Sequence, residues 1–158
     1  MTSAEKKRFL SEWAETAATV VLTRRPELTI AEANPDTGFD LEVSIKRNDR
    51  ATRPSFGVLL RAEIQSLDVH HANKLLTPTL TRFQAVWKPT SPICLFLFTM
   101  RERQEYLTWL AEPVIKDGVP KLIRRKSALC VPVTNDLLAE IVDRVVAWYD
   151  AVEAVLIE

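Results

Sequence analysis

A carboxylate and an amide interrupt an otherwise apolar segment at residues 56–67, FGVLLRAEIQSL. The pattern predicts a β-strand, in which successive side chains point to opposite faces. The apolar face of this strand consists of Val58, Leu60, Ala62 and Ile64. Glu63 and Gln65 share the other face. These two side chains are therefore candidates for chemistry.

Asp40 supplies a second carboxylate, at the start of the preceding predicted strand and directly after the turn NPDTGF. If the two strands pair as a hairpin, we expect Asp40 and Glu63 to meet at one end of the sheet. Their carboxyl groups would then lie about 4–6 Å apart, close enough to share one ion. With the Ile64 carbonyl and the Gln65 amide they predict a site for Mg²⁺ or Mn²⁺. Such an ion can polarise a phosphodiester and lower the pKa of an attacking water.

These residues resemble the PD-(D/E)XK nuclease superfamily. More narrowly, the chain is similar to a group of short bacterial restriction-endonuclease-like domains. Their pattern is Gly-x-Asp, a strand, and then hydrophobic-Gln/Glu-hydrophobic-Lys-Ser. Gly38 and Asp40 match the first part, and Glu63, Ile64 and Ser66 match the second. The later segments SPICLFLF and EYLTWL are similar to a Pro-led strand and an aromatic segment of those domains.

The resemblance implies a function and a set of roles. It implies a metal-dependent phosphodiesterase of the DNA endonuclease type, acting in bacterial defence or DNA processing. Asp40, Glu63 and the Ile64 carbonyl would bind the metal, and Gln65 would orient the attacking water. Superfamily members often add an acid from the first helix, for which Glu15 is the candidate. DNA would be the partner, with a homodimer or a larger defence complex as a further possibility.

Gln65 departs from the pattern, because the superfamily has a lysine at this position. An amide stabilises developing negative charge less well than an ammonium, although some restriction endonucleases of the superfamily use Glu-x-Gln. Lys46, six residues after Asp40, could substitute, or could be a solvated lysine at a strand end. Two alternatives therefore stay open. One is a catalytically degenerate nuclease fold that binds DNA or protein, and the other is an accessory or immunity-type protein whose sheet is only a scaffold.

The composition limits the partners that the whole surface can attract. The chain has 158 residues, the size of a single domain over 1–158, with 21 Lys plus Arg against 21 Asp plus Glu. A neutral chain attracts neither nucleic acid nor an anionic membrane globally. DNA binding would need a local patch, for which the basic segments 46–53 and 121–127 are candidates. Cys94 and Cys130 lie in apolar runs, which predicts reduced core thiols in a cytoplasmic protein.

The elements that must position these residues follow from hydrophobic periodicity. We expect helices over about 3–24 and 78–87 and from Thr134 or Asn135 onwards, and strands over 28–33, 39–47, 56–67, 91–100 and 122–133. Residues 102–110 have amphipathic spacing, and His70 and His71 are expected in a loop. The wholly apolar 91–100 predicts a central strand. The fold class is then α/β, a mixed β-sheet of a meander plus a crossover strand, flanked by helices on both faces.

Overall fold

The computed structural model describes residues 1–47 and 53–157 of the chain. The helices are α1 (Ser3–Leu22), α2 (Val69–Val86) and α3 (Asn135–Ile157), and two short 3-10 helices cover Pro35–Thr37 and Arg101–Arg103. The strands are β1 (Leu28–Glu32), β2 (Leu41–Ile45), β3 (Ser55–Glu63), β4 (Ile93–Thr99), β5 (Glu105–Lys116), β6 (Val119–Arg124) and β7 (Val131–Pro132). Within the described residues these strands form one sheet in the order β1-β2-β3-β4-β5-β6, with β7 also paired to β5.

A meander and a crossover build the part of the sheet that carries the candidate site. β1, β2 and β3 pair antiparallel, with Leu28 opposite Ile45 and Leu41 opposite Val58. α2 then returns the chain so that β4 lies parallel to β3. The expected meander plus crossover strand in a mixed α/β sheet is confirmed.

Helices cover both faces of the sheet. α1 and α3 pack on one face, in a core cluster that includes Ala18 and Val145. α2 packs on the other face, in a cluster that includes Leu76 and Leu80. β4 serves both layers, since its side chains alternate between the two clusters and all of Ile93–Thr99 is buried. The predicted central strand is therefore confirmed, because an apolar run without polar alternation can be buried only from both sides.

The second helix begins nine residues earlier than expected. The expected start at residue 78 coincides with Pro78, and a proline is common in the first turn of a helix. The structure instead caps α2 with Asp68, whose carboxylate accepts a hydrogen bond of 2.8 Å from the His71 backbone N–H. Pro78 lies inside the helix, and the expectation that His70 and His71 lie in a loop was wrong.

Two strand boundaries also differ from the expected ones. β3 ends at Glu63, four residues before the expected end at residue 67. Residues 122–133 are not one strand, because β6 ends at Arg124 and the two-residue β7 begins at Val131. The amphipathic segment 102–110 falls mostly in β5. In the part of the chain that the structure describes, no helix is long and apolar enough to span a bilayer.

Candidate functional site

A cleft of about 880 Å³ lies between the N-terminal half of α1, residues 32–40 and the last residues of β3. Its lining includes three carboxylates named by the sequence analysis, Glu15, Asp40 and Glu63. It also includes three cations, Lys6, Lys7 and Arg61. The volume is within the range of ordinary ligand pockets. The structure thus brings the candidate carboxylates to one cavity, together with positive charge.

The turn before Asp40 is held against the end of α2. Asn34 caps the 3-10 helix Pro35–Thr37, which ends at Gly38 with a left-handed φ of 83°. A Cβ on Gly38 would lie 2.3 Å from Cε2 of Trp87, so only glycine permits this approach. The contact fixes the direction in which the chain enters β2.

The Asp40 carboxylate closes the hydrogen-bond ladder between β2 and β3. The Asp40 backbone N–H donates to the Val58 carbonyl at 2.9 Å, and its Oδ2 accepts from the Leu60 N–H at 2.7 Å. Burial raises the pKa of the Asp40 carboxyl above its usual range, and the hydrogen bond from Leu60 opposes that rise. Asp40 as a whole residue is exposed, and its carboxylate is engaged by the Leu60 N–H.

Glu63 lies further along β3 than Leu60, the residue that the Asp40 carboxylate contacts. Its Oε1 lies 3.3 Å from Nη2 of Arg61, and its side chain is 33% exposed. Arg61 and Glu63 are two residues apart and therefore on one face of β3. The Asp40 carboxylate contacts Leu60, three residues before Glu63, which corresponds to about 10 Å along a strand. This spacing concerns backbone positions, so the separation of about 4–6 Å between the two carboxyl groups stays a prediction.

Ile64 and Gln65 lie beyond the end of β3. The Ile64 carbonyl accepts a hydrogen bond of 3.1 Å from the Arg101 backbone N–H. The Gln65 amide Oε1 lies 3.3 Å from Nη1 of Arg101, and the residue is exposed. Gln65 consequently does not stand beside Glu63 on a strand face, because the chain leaves the sheet between them.

Glu15 and Lys46 have different positions relative to the cleft. Glu15 is half-buried on α1 and lines the cleft. Lys46 is exposed just past the far end of β2, and its backbone N–H donates to the Glu27 carbonyl. Six residues of extended chain separate Lys46 from Asp40, or about 20 Å. Glu15 thus belongs to the candidate site, whereas Lys46 lies away from it.

Donors of the predicted divalent metal site already have hydrogen-bond or ion-pair partners within the protein. A hard cation needs several oxygen ligands at about 2.0–2.6 Å. Over residues 1–47 and 53–157, no three or more His, Cys, Asp or Glu residues are grouped so that they could hold a metal ion. The Asp40 carboxylate, the Glu63 carboxylate and the Ile64 carbonyl each already contact a donor within the protein.

The cations of the cleft were not among the residues predicted from the sequence. Arg61 has the same strand parity as Glu63, and Lys6 and Lys7 begin the basic run KKR in α1. Parity could have indicated Arg61, because both side chains belong to one strand face. Nothing local could have indicated Lys6 and Lys7, since the packing of α1 on the sheet brings them to the cleft. Of the two predicted basic segments, residues 48–52 lie outside the described residues.

Comparisons with protein-family models, with curated proteins and with solved structures give no significant match.

Proposed function

We propose that this chain is a nuclease-like domain that binds nucleic acid at the α1–β3 cleft without cleaving it. The observation that carries the proposal is the presence of Lys6, Lys7 and Arg61 in the lining of the same cleft as Asp40 and Glu63. DNA is the expected partner. A role in bacterial defence or DNA processing, in the cytoplasm and as a homodimer or within a larger complex, is part of the same proposal.

The cations provide the electrostatic contacts. Lys6 and Lys7 are exposed, so their ammonium groups can neutralise phosphates and release counterions. Phosphate contacts of this kind set position and affinity without reading sequence. The lysines supply positive charge inside a cleft whose lining also holds the exposed Glu32.

The carboxylates constrain how a strand could lie in the cleft. Glu15 and Glu63 are half-buried, and they would repel a phosphate placed next to them. They can instead accept hydrogen bonds from exocyclic amino groups, as Asp and Glu do with cytosine N4. This charge distribution favours an arrangement in which the phosphates contact the lysines and the bases face the carboxylates. Bases are free to turn in this way in single strands.

The contacts of the carboxylates support binding over cleavage. The Asp40 Oδ2 is a structural acceptor for Leu60, and Glu63 pairs with Arg61. Gln65 interacts with Arg101 outside the strand, so it does not occupy the position that would orient water beside Glu63. These residues now serve the end of the sheet, which is the pattern expected of a nuclease fold that has lost its metal site.

The test is fluorescence anisotropy of the full chain with labelled single-stranded DNA, duplex DNA and single-stranded RNA. We expect binding to single strands, and at least a tenfold loss of affinity in Lys6→Glu/Lys7→Glu. The matched control is Arg8→Glu/Arg82→Glu, which changes the net charge equally at exposed positions outside the cleft lining. Equal losses in both variants, or no binding by the wild type, would contradict the proposal.

A metal-dependent phosphodiesterase is the second candidate, favoured by the presence of Glu15, Asp40 and Glu63 in one cleft. It would require these carboxylates to converge when substrate and metal bind. Incubating the same oligonucleotides with Mg²⁺ or Mn²⁺ distinguishes the two functions. Cleavage that is abolished by Glu63→Ala would replace the binding proposal with the enzymatic one.

A further inference from the structure

Two loops adjoin the cleft at the carboxyl ends of β3 and β4, the one parallel pair among the described strands. Residues 64–68 follow β3, and residues 100–104 follow β4. The Met100 backbone N–H donates to the Glu63 carbonyl at 2.9 Å, which joins the second loop directly to the cleft. Ligands of open α/β sheets bind outside the carboxyl ends of strands. This end of the sheet is therefore a favourable position for a ligand.

The loop after β4 is held rigidly by its neighbours. The Arg101 carbonyl accepts a hydrogen bond of 3.1 Å from the Ser66 hydroxyl. The Gln104 Oε1 accepts a hydrogen bond of 2.7 Å from the Leu67 N–H, and the Gln104 N–H donates one of 3.1 Å to the Thr99 hydroxyl. Both loops are thus fastened to each other and to the end of the sheet.

The rigid backbone adopts a conformation that its residues do not favour. Glu102 and Arg103 are consecutive non-glycine residues with φ of 60° and 44°. A left-handed conformation is costly for residues with a Cβ, and it persists only where the surroundings impose it. Consecutive residues of positive φ also occur in tight hairpin turns, and Glu102 and Arg103 lie in the connection between the antiparallel neighbours β4 and β5. This conformation turns the chain from β4 into β5, and it places Arg101 and Arg103 in the connection.

The shape presents two arginines to solvent. Arg101 and Arg103 are both exposed. The Arg101 guanidinium is oriented by Gln65, whose Oε1 lies 3.3 Å from Nη1. Guanidinium groups bind phosphates through paired hydrogen bonds, and a fixed orientation reduces the entropy lost on binding.

We propose that Arg101 and Arg103 form a second phosphate-binding site for the nucleic-acid backbone, next to the cleft. The inference rests on the proposed nucleic-acid binding. The backbone runs from Lys6 and Lys7 past the end of β3 to the two arginines, and the ligand is a polyanion long enough to reach both. Gln65 is a positioning residue for Arg101.

The test compares Arg101→Gln/Arg103→Gln with the control Arg8→Gln/Arg82→Gln on two single-stranded oligonucleotides, of about 20 and about four nucleotides. For the long strand we expect at least a tenfold loss of affinity and a decrease of about 1.4 in the slope of log affinity against log salt, only in the first variant. For the short strand, which the cleft alone accommodates, we expect little change.

Arg101→Lys/Arg103→Lys separates charge from geometry. It should keep the salt slope of the wild type and lose part of the affinity, because lysine binds phosphate as a point charge. If Arg101→Gln/Arg103→Gln leaves affinity and salt slope unchanged while the wild type still binds, the proposal of a second phosphate-binding site is overturned and the proposed binding at the cleft is not. No binding of any strand by the wild type would overturn both proposals.

Discussion

At the scale of single residues, Asp40 shows how a carboxylate can serve the end of a sheet. In an antiparallel ladder the Leu60 N–H would pair with a backbone carbonyl of the neighbouring strand. Here the Asp40 side chain is that acceptor. The hydrogen bond favours the charged form, whereas burial disfavours it more strongly, and the pKa is raised overall. The residue therefore stabilises the fold through its oxygen atom and not through its charge.

Replacing Asp40 with asparagine tests this separation. A carboxyl group with a raised folded-state pKa contributes stability that is complete below its ordinary pKa, near 3.8, and is lost as pH rises through the folded-state value. The asparagine side chain keeps an acceptor for the Leu60 N–H and cannot ionise. We expect Asp40→Asn to gain stability relative to the wild type as the pH rises from about 3.5 to about 7 in urea titrations. A difference between the two proteins that is independent of pH would contradict this assignment.

Gly38 is the second residue on which the position of Asp40 depends. Gly38→Ala should destabilise the protein by about 2–4 kcal/mol, since it adds a contact of 2.3 Å with Trp87 to a left-handed φ. Gly118→Ala is the matched control. Gly118 has a φ of 77° and open space around its Cβ position, so the cost should be only about 1–2 kcal/mol. Equal losses in urea unfolding would show that the Trp87 contact does not hold the turn.

At the scale of elements, the sequence contains a strong local signal for the turn of the β5–β6 hairpin. Asp117 and Gly118 both have positive φ, as a two-residue hairpin turn requires, and Asp-Gly is a strong signal for such a turn. Pro113 and Pro120 disfavour strands on either side of it. β6 tolerates its proline because it is the last strand of the sheet on this side. The end of β3 at Glu63 has no comparable local signal, because the alternation of apolar and polar residues continues past it with Ile64 and Gln65.

A charged network joins this hairpin to α3. The Glu112 carboxylate forms ion pairs with Nη2 of Arg125 at 2.9 Å and with Nη2 of Arg144 at 3.1 Å. The Glu112 side chain is 16% exposed. Arg144 also lies 5.4 Å from the centre of the Trp109 ring. The network therefore connects the edge of the sheet to the helix that covers it.

Glu112→Ala should lower the free energy of unfolding by about 2–3 kcal/mol, because it removes the carboxylate that accepts from two partly buried guanidinium groups. Arg144 keeps its hydrogen bond of 2.8 Å to the Pro113 carbonyl. The control is Glu12→Ala, which removes an exposed pair with Arg8 and should cost less than about 1 kcal/mol. Chemical denaturation of both variants gives the comparison. A Glu112→Ala variant as stable as the control would show that the network contributes nothing measurable.

At the scale of the whole molecule, the sequence predicted the layers of the fold better than the arrangement of the site. The alternation of apolar and polar residues along 39–47 and the apolar run 91–100 reflect which faces of each strand are buried. Local sequence patterns of this kind predict burial. Whether Asp40 meets Glu63 depends on register, and the convergence of Lys6 and Lys7 on the cleft depends on how α1 crosses the sheet. Both are long-range properties, and short motifs do not determine them.

The two cysteines allow the two layers to be followed separately. Cys94 lies in the cluster of α1 and α3, and Cys130 lies in that of α2. Burial raises the pKa of Cys94 well above its ordinary value and that of Cys130 to about 11, so neither thiol should react in the native state. Because β4 contributes side chains to both clusters, loss of one layer should remove the support of the other. We expect labelling by a thiol reagent, resolved by mass spectrometry across a urea gradient, to show the same midpoint for both cysteines. Labelling of Cys130 at clearly lower urea than Cys94 would instead show that the α2 layer opens as an independent unit.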